Sequence, residues 1–466
     1  MPASVNCGWM EASQAFVETT PEAAQDNYED EDPETSVARF SEMENLLAAM
    51  NSVEQEDHIL VRDNTTRQHC SQPLAAAVMR NLPKRALAHE LSPGLICRSC
   101  RLQRRQFATS PAPPSPAATG LTSLSSRRLI SVAGPDAAKF LQGIVTANVT
   151  TNDGQPRNDG FYTAFLTATG RVLFDVFVYP NHGASGASAD EPGFLIEVDA
   201  GQAQTLAKHI KRYKLRAKLA VKLLGEDEAS VWHAWDDSAK TNWDSIVAST
   251  KFSLQDSRAP DLGYRFARLD QKAPEIDIER STEDAYTIRR YLQGVPEGQE
   301  EMPREHSLPQ ESNMDFMNGI DWRKGCYVGQ ELTIRTRHRG VVRKRILPCV
   351  VYEKDHAAPT TLAYHAESTS LESVTADMIP QATSIGRFEK RGRSAGKWLN
   401  GVGNIGLGLC RLEIMTDVLP GETAAATFKP EDEFVLEWGE DGSKTGVKVK
   451  AFVPEWLRQG LETQKH

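Results

Sequence analysis

Beyond a polar first quarter, apolar positions recur along this chain with the periods of short strands and single helices. Residues 128–132 predict a strand, and Gly134-Pro135-Asp136 opens a helix, because proline is tolerated in the first helical turn. Residues 161–166 and 172–179, separated by Thr169-Gly170, predict a β-hairpin. This mixture of strands and single helices is typical of an α+β fold.

The alternation of strands with single helices continues to residue 293. A strand is predicted at 194–198, a helix at 201–213, a strand at 214–224 and a helix at 283–293. Gly294 follows the last of these and is suited to a helix C-cap.

From residue 346 onward the pattern is β throughout, with short strands separated by turn signals. Such a run predicts a small antiparallel barrel or sandwich, which we assign to residues 346–466. Polar insertions at 354–382 and 389–403 interrupt it, and the strands are expected at 346–352, 384–388, 404–411, 424–428 and 447–452.

Charge is distributed unevenly over the first quarter. Residues 1–78 hold 15 Asp or Glu against three Arg, with few aromatic residues, which predicts a disordered acidic extension. Residues 79–108 are Arg-rich and poor in acids, which is the composition of a mitochondrial presequence, and Arg105-Gln106-Phe107-Ala108 is similar to a matrix-processing site. We expect translation to start at Met79 or at Met1, a transit peptide to be removed, and a Pro-rich linker to occupy 109–122.

The cysteines favour a reducing compartment, and the mitochondrial matrix is the predicted location. The three beyond the expected cut, Cys326, Cys349 and Cys410, are far apart in sequence and do not form a disulfide framework. Cys97 and Cys100 form a lone CxxC pair, too few ligands for a zinc site. No apolar run reaches the length of a membrane span.

The octapeptide at 324–331, Lys-Gly-Cys-Tyr-Val-Gly-Gln-Glu, carries the strongest chemical signal. It places the thiol of Cys326 between two glycines, where the backbone can turn tightly or approach a ligand. A cation such as Lys324 favours the reactive thiolate. The alternative interpretation is a small structural cysteine in a glycine turn.

A basic run surrounds this octapeptide. Between residues 323 and 345 there are eight Lys or Arg and one acid, Glu331. If residues 332–339 form a strand, Arg335, Arg337 and Arg339 share one face, which would bind an anionic ligand or an acidic protein partner; a solvated strand face is the alternative. Nucleic acid is disfavoured because aromatic residues do not interleave with the basic ones.

The octapeptide resembles the signature of the YgfZ proteins, which are relatives of the glycine-cleavage T protein, and in eukaryotes are the Iba-type iron–sulfur cluster assembly factors, also described as mitochondrial transferases. The resemblance extends over about residues 121–350. Weaker supporting segments occur in the matching order at 134–143, 170–175, 215–218, 256–263 and 308–311.

The resemblance implies two interwoven α+β domains at 123–345, around a central opening similar to a folate site, followed by the β-barrel. It also implies a role in maturing [4Fe–4S] proteins together with A-type carrier proteins. Cys326 and Lys324 match the motif residues, with Cys326 as a shared ligand of a transient iron–sulfur cluster.

Tetrahydrofolate is the other cofactor that the resemblance implies, and a folate-dependent one-carbon transferase is the alternative function. Glu311 matches a folate-contacting carboxylate of the T protein, and Asp175 is a second polar anchor or a solvated acid. Phe174 replaces one of a pair of T-protein carboxylates, which removes half of an acid–base pair and argues against aminomethyl transfer. The remaining residues assigned to the cofactor are Tyr327, Gln330, Glu331, Arg335 and Arg337.

Overall fold

The computed structural model describes residues 112–463 except 152, 182–192, 367–373, 391, 420–426 and 440–444. The predicted acidic extension, the presequence, the Cys97 and Cys100 pair and most of the strand expected at 424–428 lie outside the described residues.

The first part of the fold contains nine strands and four helices longer than one turn. They are, in chain order, β1 (Thr119–Ser123), β2 (Arg127–Ala133), α1 (Ala137–Ile144), β3 (Phe161–Leu166), β4 (Val172–Asn181), β5 (Gly193–Asp199), α2 (Ala203–Tyr213), β6 (Ala220–Leu223), β7 (Ser230–Asp236), α3 (Trp243–Ser249), β8 (Ser253–Gln255), β9 (Tyr264–Arg268) and α4 (Glu283–Gln293).

Two antiparallel sheets are built from these strands. The first has the order β3-β4-β5-β2-β6, and the second has the order β1-β7-β9-β8. The chain enters the second sheet with β1, builds the whole first sheet, and then returns to the second with β7. The predicted interweaving of two α+β units is therefore present.

Each face of the first sheet is covered by a separate apolar cluster. Leu141 of α1 and Leu206 of α2 pack on one face, against β-branched side chains such as Val132. On the other face, Phe177 belongs to a cluster that also contains Trp235 of the second sheet. Because the strands of the first sheet are covered on both faces, β4 is buried along its whole length.

The C-terminal part is a closed barrel, as predicted. Its strands run in the order β10-β13-β12-β11-β14-β15, all paired in antiparallel fashion. Closure leaves no free strand edge, and large side chains such as Trp398 and Leu347 fill the interior. The elements are α5 (Gln330–Arg339), β10 (Lys344–Tyr352), β11 (Ser384–Arg387), β12 (Gly396–Val402), β13 (Ile405–Arg411), α6 (Leu412–Met415), β14 (Phe434–Trp438), β15 (Thr445–Ala451) and α7 (Glu455–Thr463).

Three sequence-based assignments in the two sheets and the barrel differ from the structure. Strand β1 begins inside the predicted linker, because Leu121 is buried and its strand pairs with β7. Strand β12 lies in the predicted polar insertion at 389–403, where Trp398 is buried in the barrel. The strand predicted at 214–224 is shortened to β6, since residues 214–219 form a turn after α2.

None of the helices in the described part of the chain combines the length and hydropathy needed to span a bilayer.

Candidate functional site

The octapeptide forms an exposed turn that leads directly into α5. Cys326 is exposed to solvent, whereas Tyr327 and Gly329, on its C-terminal side, are buried. The turn therefore presents its thiol outward while the residues that follow anchor it to the protein.

Two glycines permit the close approach of this turn to the β3–β4 hairpin. Gly329 has φ of +81°, and a Cβ at this position would overlap the carbonyl oxygen of Thr167. Gly170, in the hairpin turn, has φ of +80°, and a Cβ there would lie 2.8 Å from Cβ of Leu332. By contrast, a Cβ on Gly325 would meet no neighbouring atom within 4 Å. Gly329 thus allows the turn to pack against the hairpin, whereas Gly325 lies in open space.

Lys324 anchors the other side of the turn. Its Nζ donates hydrogen bonds to the carbonyl oxygens of Val145 at 2.6 Å and Ala147 at 2.9 Å, and lies 5.0 Å from the ring centre of Tyr327. Burial lowers the pKa of Lys324 to about 7, and the negative charge of Asp321 opposes this shift. The role predicted for this lysine, promotion of the Cys326 thiolate, stays a prediction.

The polar motif residues after Cys326 also serve to hold the backbone. The main-chain N–H of Tyr327 donates to Oε1 of Gln330 at 3.2 Å, and that of Val328 donates to the carbonyl oxygen of Gly143 at 3.0 Å. Burial raises the pKa of the Tyr327 phenol, which is therefore neutral at physiological pH. The turn is consequently fixed on both sides of the cysteine.

The prediction of a strand at 332–339 is wrong, because residues 330–339 form helix α5. Residues two apart on a helix are separated by about 200° around the axis, so Arg337 does not share a face with Arg335 and Arg339. Arg335 forms an exposed i,i+4 ion pair of 2.6 Å with Glu331, and the guanidinium of Arg337 lies 4.1 Å from the ring centre of Trp322. The three arginines therefore do not form one row of parallel cations.

Glu311 is ion-paired with Lys344 at 2.7 Å, 15% of its side chain being exposed. The pair lies beside a cavity of about 330 Å³, whose lining includes Arg343, Arg393 and Arg411. The predicted folate-contacting carboxylate is thus neutralised by a cation of the protein itself.

Two alternatives were predicted for Asp175, a polar anchor and a solvated acid. The second is wrong. It is fully buried in β4, where its carboxylate accepts hydrogen bonds from Arg127 at 3.5 Å and from the main-chain N–H of Gly298 at 3.1 Å. Burial raises the pKa of Asp175, and the nearby Arg127 opposes that shift.

Asp175 belongs to a buried ionic network that the sequence analysis missed. Arg127 also contacts Glu197 at 3.0 Å, and Arg265, from the second sheet, pairs with the same Glu197. Glu297 accepts from Arg265 at 3.0 Å and lies 2.8 Å from Arg258. Charged residues inside otherwise apolar strands were the available signal, since such residues are rarely buried unless they are paired. This network joins the two sheets.

The remaining described cysteines do not contribute to the site. Cys349 and Cys410 are buried inside the barrel, with their sulfur atoms 3.9 Å apart. Within the described ranges, no group of three or more His, Cys, Asp or Glu side chains is arranged to hold a metal ion.

Comparison with protein families identifies the barrel. Residues 343–459 match the family model described as the CAF17 C-terminal beta-barrel domain. This match begins at the residue before β10 and includes every strand of the closed barrel.

Curated proteins align with most of the chain. The chain is 58% identical over 399 residues to a protein of Pyricularia oryzae named "Iron-sulfur cluster assembly factor IBA57 homolog, mitochondrial", with 83% of this chain and 98% of the relative covered. A protein with the same name from Neurospora crassa is 47% identical over 416 residues, with 83% of this chain and 93% of the relative covered. A third, from Aspergillus oryzae, is 43% identical over 404 residues, with 78% of this chain and 89% of the relative covered.

Among solved structures, the chain is similar to the glycine cleavage system aminomethyltransferase T from Bartonella henselae. The TM-score is 0.47 at 12% sequence identity, with 74% of this chain and 88% of that chain covered.

Proposed function

Because this chain belongs to the family of mitochondrial iron–sulfur cluster assembly factors named IBA57, we propose that it functions in iron–sulfur cluster assembly in the mitochondrial matrix. Membership confirms the resemblance based on the octapeptide. The proposed role is to mature [4Fe–4S] proteins together with A-type carrier proteins, with the cluster as cargo.

The observation that carries this proposal is the exposed thiol of Cys326 on an anchored turn. A ligand to a shared cluster must reach a partner without unfolding the protein, and an exposed side chain on a fixed backbone meets both needs. The thiolate of Cys326 replaces one ligand of the carrier at an iron atom, and the carrier supplies the others. The Cys326 thiol loses its proton to solvent as it binds, and the displaced carrier ligand takes up a proton, so this ligand exchange by itself changes no oxidation state.

Tetrahydrofolate does not fit the two acids that were predicted to hold it. Asp175 is fully buried and is bound by Arg127 and Gly298, and Glu311 is paired with Lys344. A pterin could reach Asp175 only by displacing its buried partners, at the cost of leaving a buried charge unpaired, and at Glu311 it would meet a carboxylate that Lys344 already neutralises. We therefore derive no folate-dependent step for this chain.

The test is cluster exchange with a purified [2Fe–2S] A-type carrier. The full chain is mixed with the loaded carrier, and complex formation and the visible absorption of the cluster are followed. We expect a complex and an altered spectrum with the unmodified chain, and an unaltered spectrum with Cys326→Ser. Cys410→Ser is the matched control, because that sulfur is buried in the apolar core of the barrel. Equal spectra for the unmodified chain and Cys326→Ser would contradict the assignment of Cys326.

A further inference from the structure

A second basic segment of the chain lies apart from the octapeptide. Residues 200–225 contain seven Lys or Arg and no Asp or Glu, in a chain whose formal net charge is −10. This segment comprises α2, the turn after it and β6. Such a local excess of one sign in a chain of opposite net charge gives one face its own electrostatic character.

Helix α2 divides its apolar and basic residues between two faces. Leu206 and Ile210 are buried against the first sheet, whereas Lys208 and Lys211 are exposed. The outer face of α2 therefore presents two exposed lysine side chains.

The turn after α2 adds an exposed apolar side chain that lies between basic residues in the sequence. Leu215 has φ of +42° and is 58% exposed, a conformation and an exposure that are both unusual for leucine. Arg216 and Lys218 are exposed beside it.

The turn is fixed in position by hydrogen bonds. Lys214 Nζ donates to the carbonyl oxygen of Leu219 at 2.9 Å, and the main-chain N–H of Lys218 donates to Asp136 at 2.6 Å. The protruding leucine is thus part of an ordered turn. We call Lys208, Lys211, Leu215, Arg216 and Lys218 the α2 surface.

We propose that the α2 surface binds the chain peripherally to a bilayer that contains anionic phospholipid. Clusters of four to eight basic residues on an amphipathic helix are typical of binding to acidic headgroups, to which each cation near the membrane surface adds attraction. Leu215 gives the surface an apolar side chain that enters the boundary between headgroups and acyl chains. Lys222 is excluded from the surface because it pairs with Glu228 at 3.0 Å.

The exposed leucine favours a bilayer over the other anionic macromolecules. A nucleic-acid backbone attracts the cations but offers little apolar contact to Leu215. An acidic protein would have to supply both carboxylates and an apolar pocket for this one side chain, whereas a bilayer of anionic phospholipid supplies both everywhere.

Helix α1 relates this surface to the cysteine turn. Asp136, which precedes α1, contacts the α2 surface at Lys218, and Gly143, near the end of α1, contacts the octapeptide at Val328. An eight-residue helix is about 12 Å long, so the two regions contact opposite ends of α1.

The test is co-sedimentation of the full chain with vesicles of phosphatidylcholine alone, and with vesicles in which about a third of the lipid is phosphatidylglycerol. We expect binding to the anionic vesicles only, weakening as salt is raised. Lys208→Glu combined with Lys211→Glu is expected to weaken binding about 30-fold or more. Leu215→Asn is expected to weaken it several-fold without loss of stability, because asparagine tolerates positive φ.

The matched control is Lys240→Glu combined with Lys272→Glu, which changes the net charge equally at exposed lysines of the second-sheet region. It is expected to bind anionic vesicles almost as the unmodified chain does. Absence of binding to anionic vesicles, equal binding to neutral vesicles, or an equal loss in both double variants would overturn the proposal. Binding to poly-glutamate without binding to vesicles would also overturn it, in favour of an acidic protein partner.

Discussion

The ammonium nitrogen of Lys324 lies 2.6 Å from the main-chain carbonyl oxygen of Val145, 179 positions earlier in the chain. On the other side of Cys326, the N–H of Val328 donates to Gly143. In the sequence, the exposed cysteine is therefore flanked by two residues that hydrogen-bond to one short segment at the end of α1. The lysine of the octapeptide holds the position of the thiol through this segment.

Replacing Lys324 is expected to loosen the turn. Lys324→Met removes the two hydrogen bonds to Val145 and Ala147, and each such bond contributes about 1 kcal/mol to stability. We expect faster amide hydrogen exchange at residues 323–329 and slower cluster exchange with the carrier. Cys326→Ser is the control, since it should abolish cluster exchange while leaving amide exchange unchanged. Unchanged amide exchange in Lys324→Met would refute the anchoring role.

Serine substitution is expected to change stability at the buried cysteine and not at the exposed one. Cys326→Ser should leave the free energy of unfolding unchanged within about 0.5 kcal/mol, because its side chain is exposed. Cys410→Ser places a hydroxyl in the apolar barrel interior and should lower the free energy of unfolding by about 1–3 kcal/mol. Urea denaturation of both variants measures this. A larger loss for Cys326→Ser than for Cys410→Ser would contradict the assigned burial.

Local signals in the sequence predicted much of the fold. Helix α4 occupies the predicted residues 283–293, and Gly294 caps it with φ of +71°. The β3–β4 hairpin was predicted because apolar strands and the Thr169-Gly170 turn are adjacent in sequence. Strand β1 was missed because its identity depends on pairing with β7, more than a hundred residues later.

The misassigned elements share a different cause. In α5 the alternation of Leu332, Ile334 and Thr336 with arginines has the period of a strand, although only Thr333 is buried in the folded chain. The burial of Asp175 depends on Arg127, a residue on another strand. The spacing of apolar residues can be read from neighbouring positions in the sequence. Which side is buried, and which residue pairs with a buried charge, depend on the tertiary fold.

The two glycines of the octapeptide form a matched pair for mutation. Gly329→Ala introduces a methyl group against Thr167 at positive φ, so a loss of about 1–3 kcal/mol in the free energy of unfolding is expected. Gly325→Ala should be tolerated, because its Cβ would meet open space. Thermal denaturation compares the two variants. Equal stability of both would show that the turn does not dock on the hairpin as described.

Acid destabilisation is expected to depend on His233. This histidine is fully buried and contacts the carbonyl oxygen of Leu262 at 2.8 Å through Nε2, and burial, followed by the positive charge of Arg265, lowers its pKa to about 3. The unfolded chain binds a proton at this residue below about pH 6.5, and the folded chain does so only near pH 3. The free energy of unfolding should therefore fall as pH decreases through this window, by at most about 1.4 kcal/mol per pH unit from this group.

His233→Gln isolates this contribution, because glutamine does not titrate. Urea denaturation at several pH values between about 7 and 4 would measure the free energy of unfolding of both chains. The unmodified chain should lose stability relative to the variant as pH falls, whatever the constant cost of the substitution. Buried carboxylates such as Asp256 titrate in both chains, so their effect is largely removed from the difference. A difference that stays constant across this range would show that His233 does not have the lowered pKa its burial predicts.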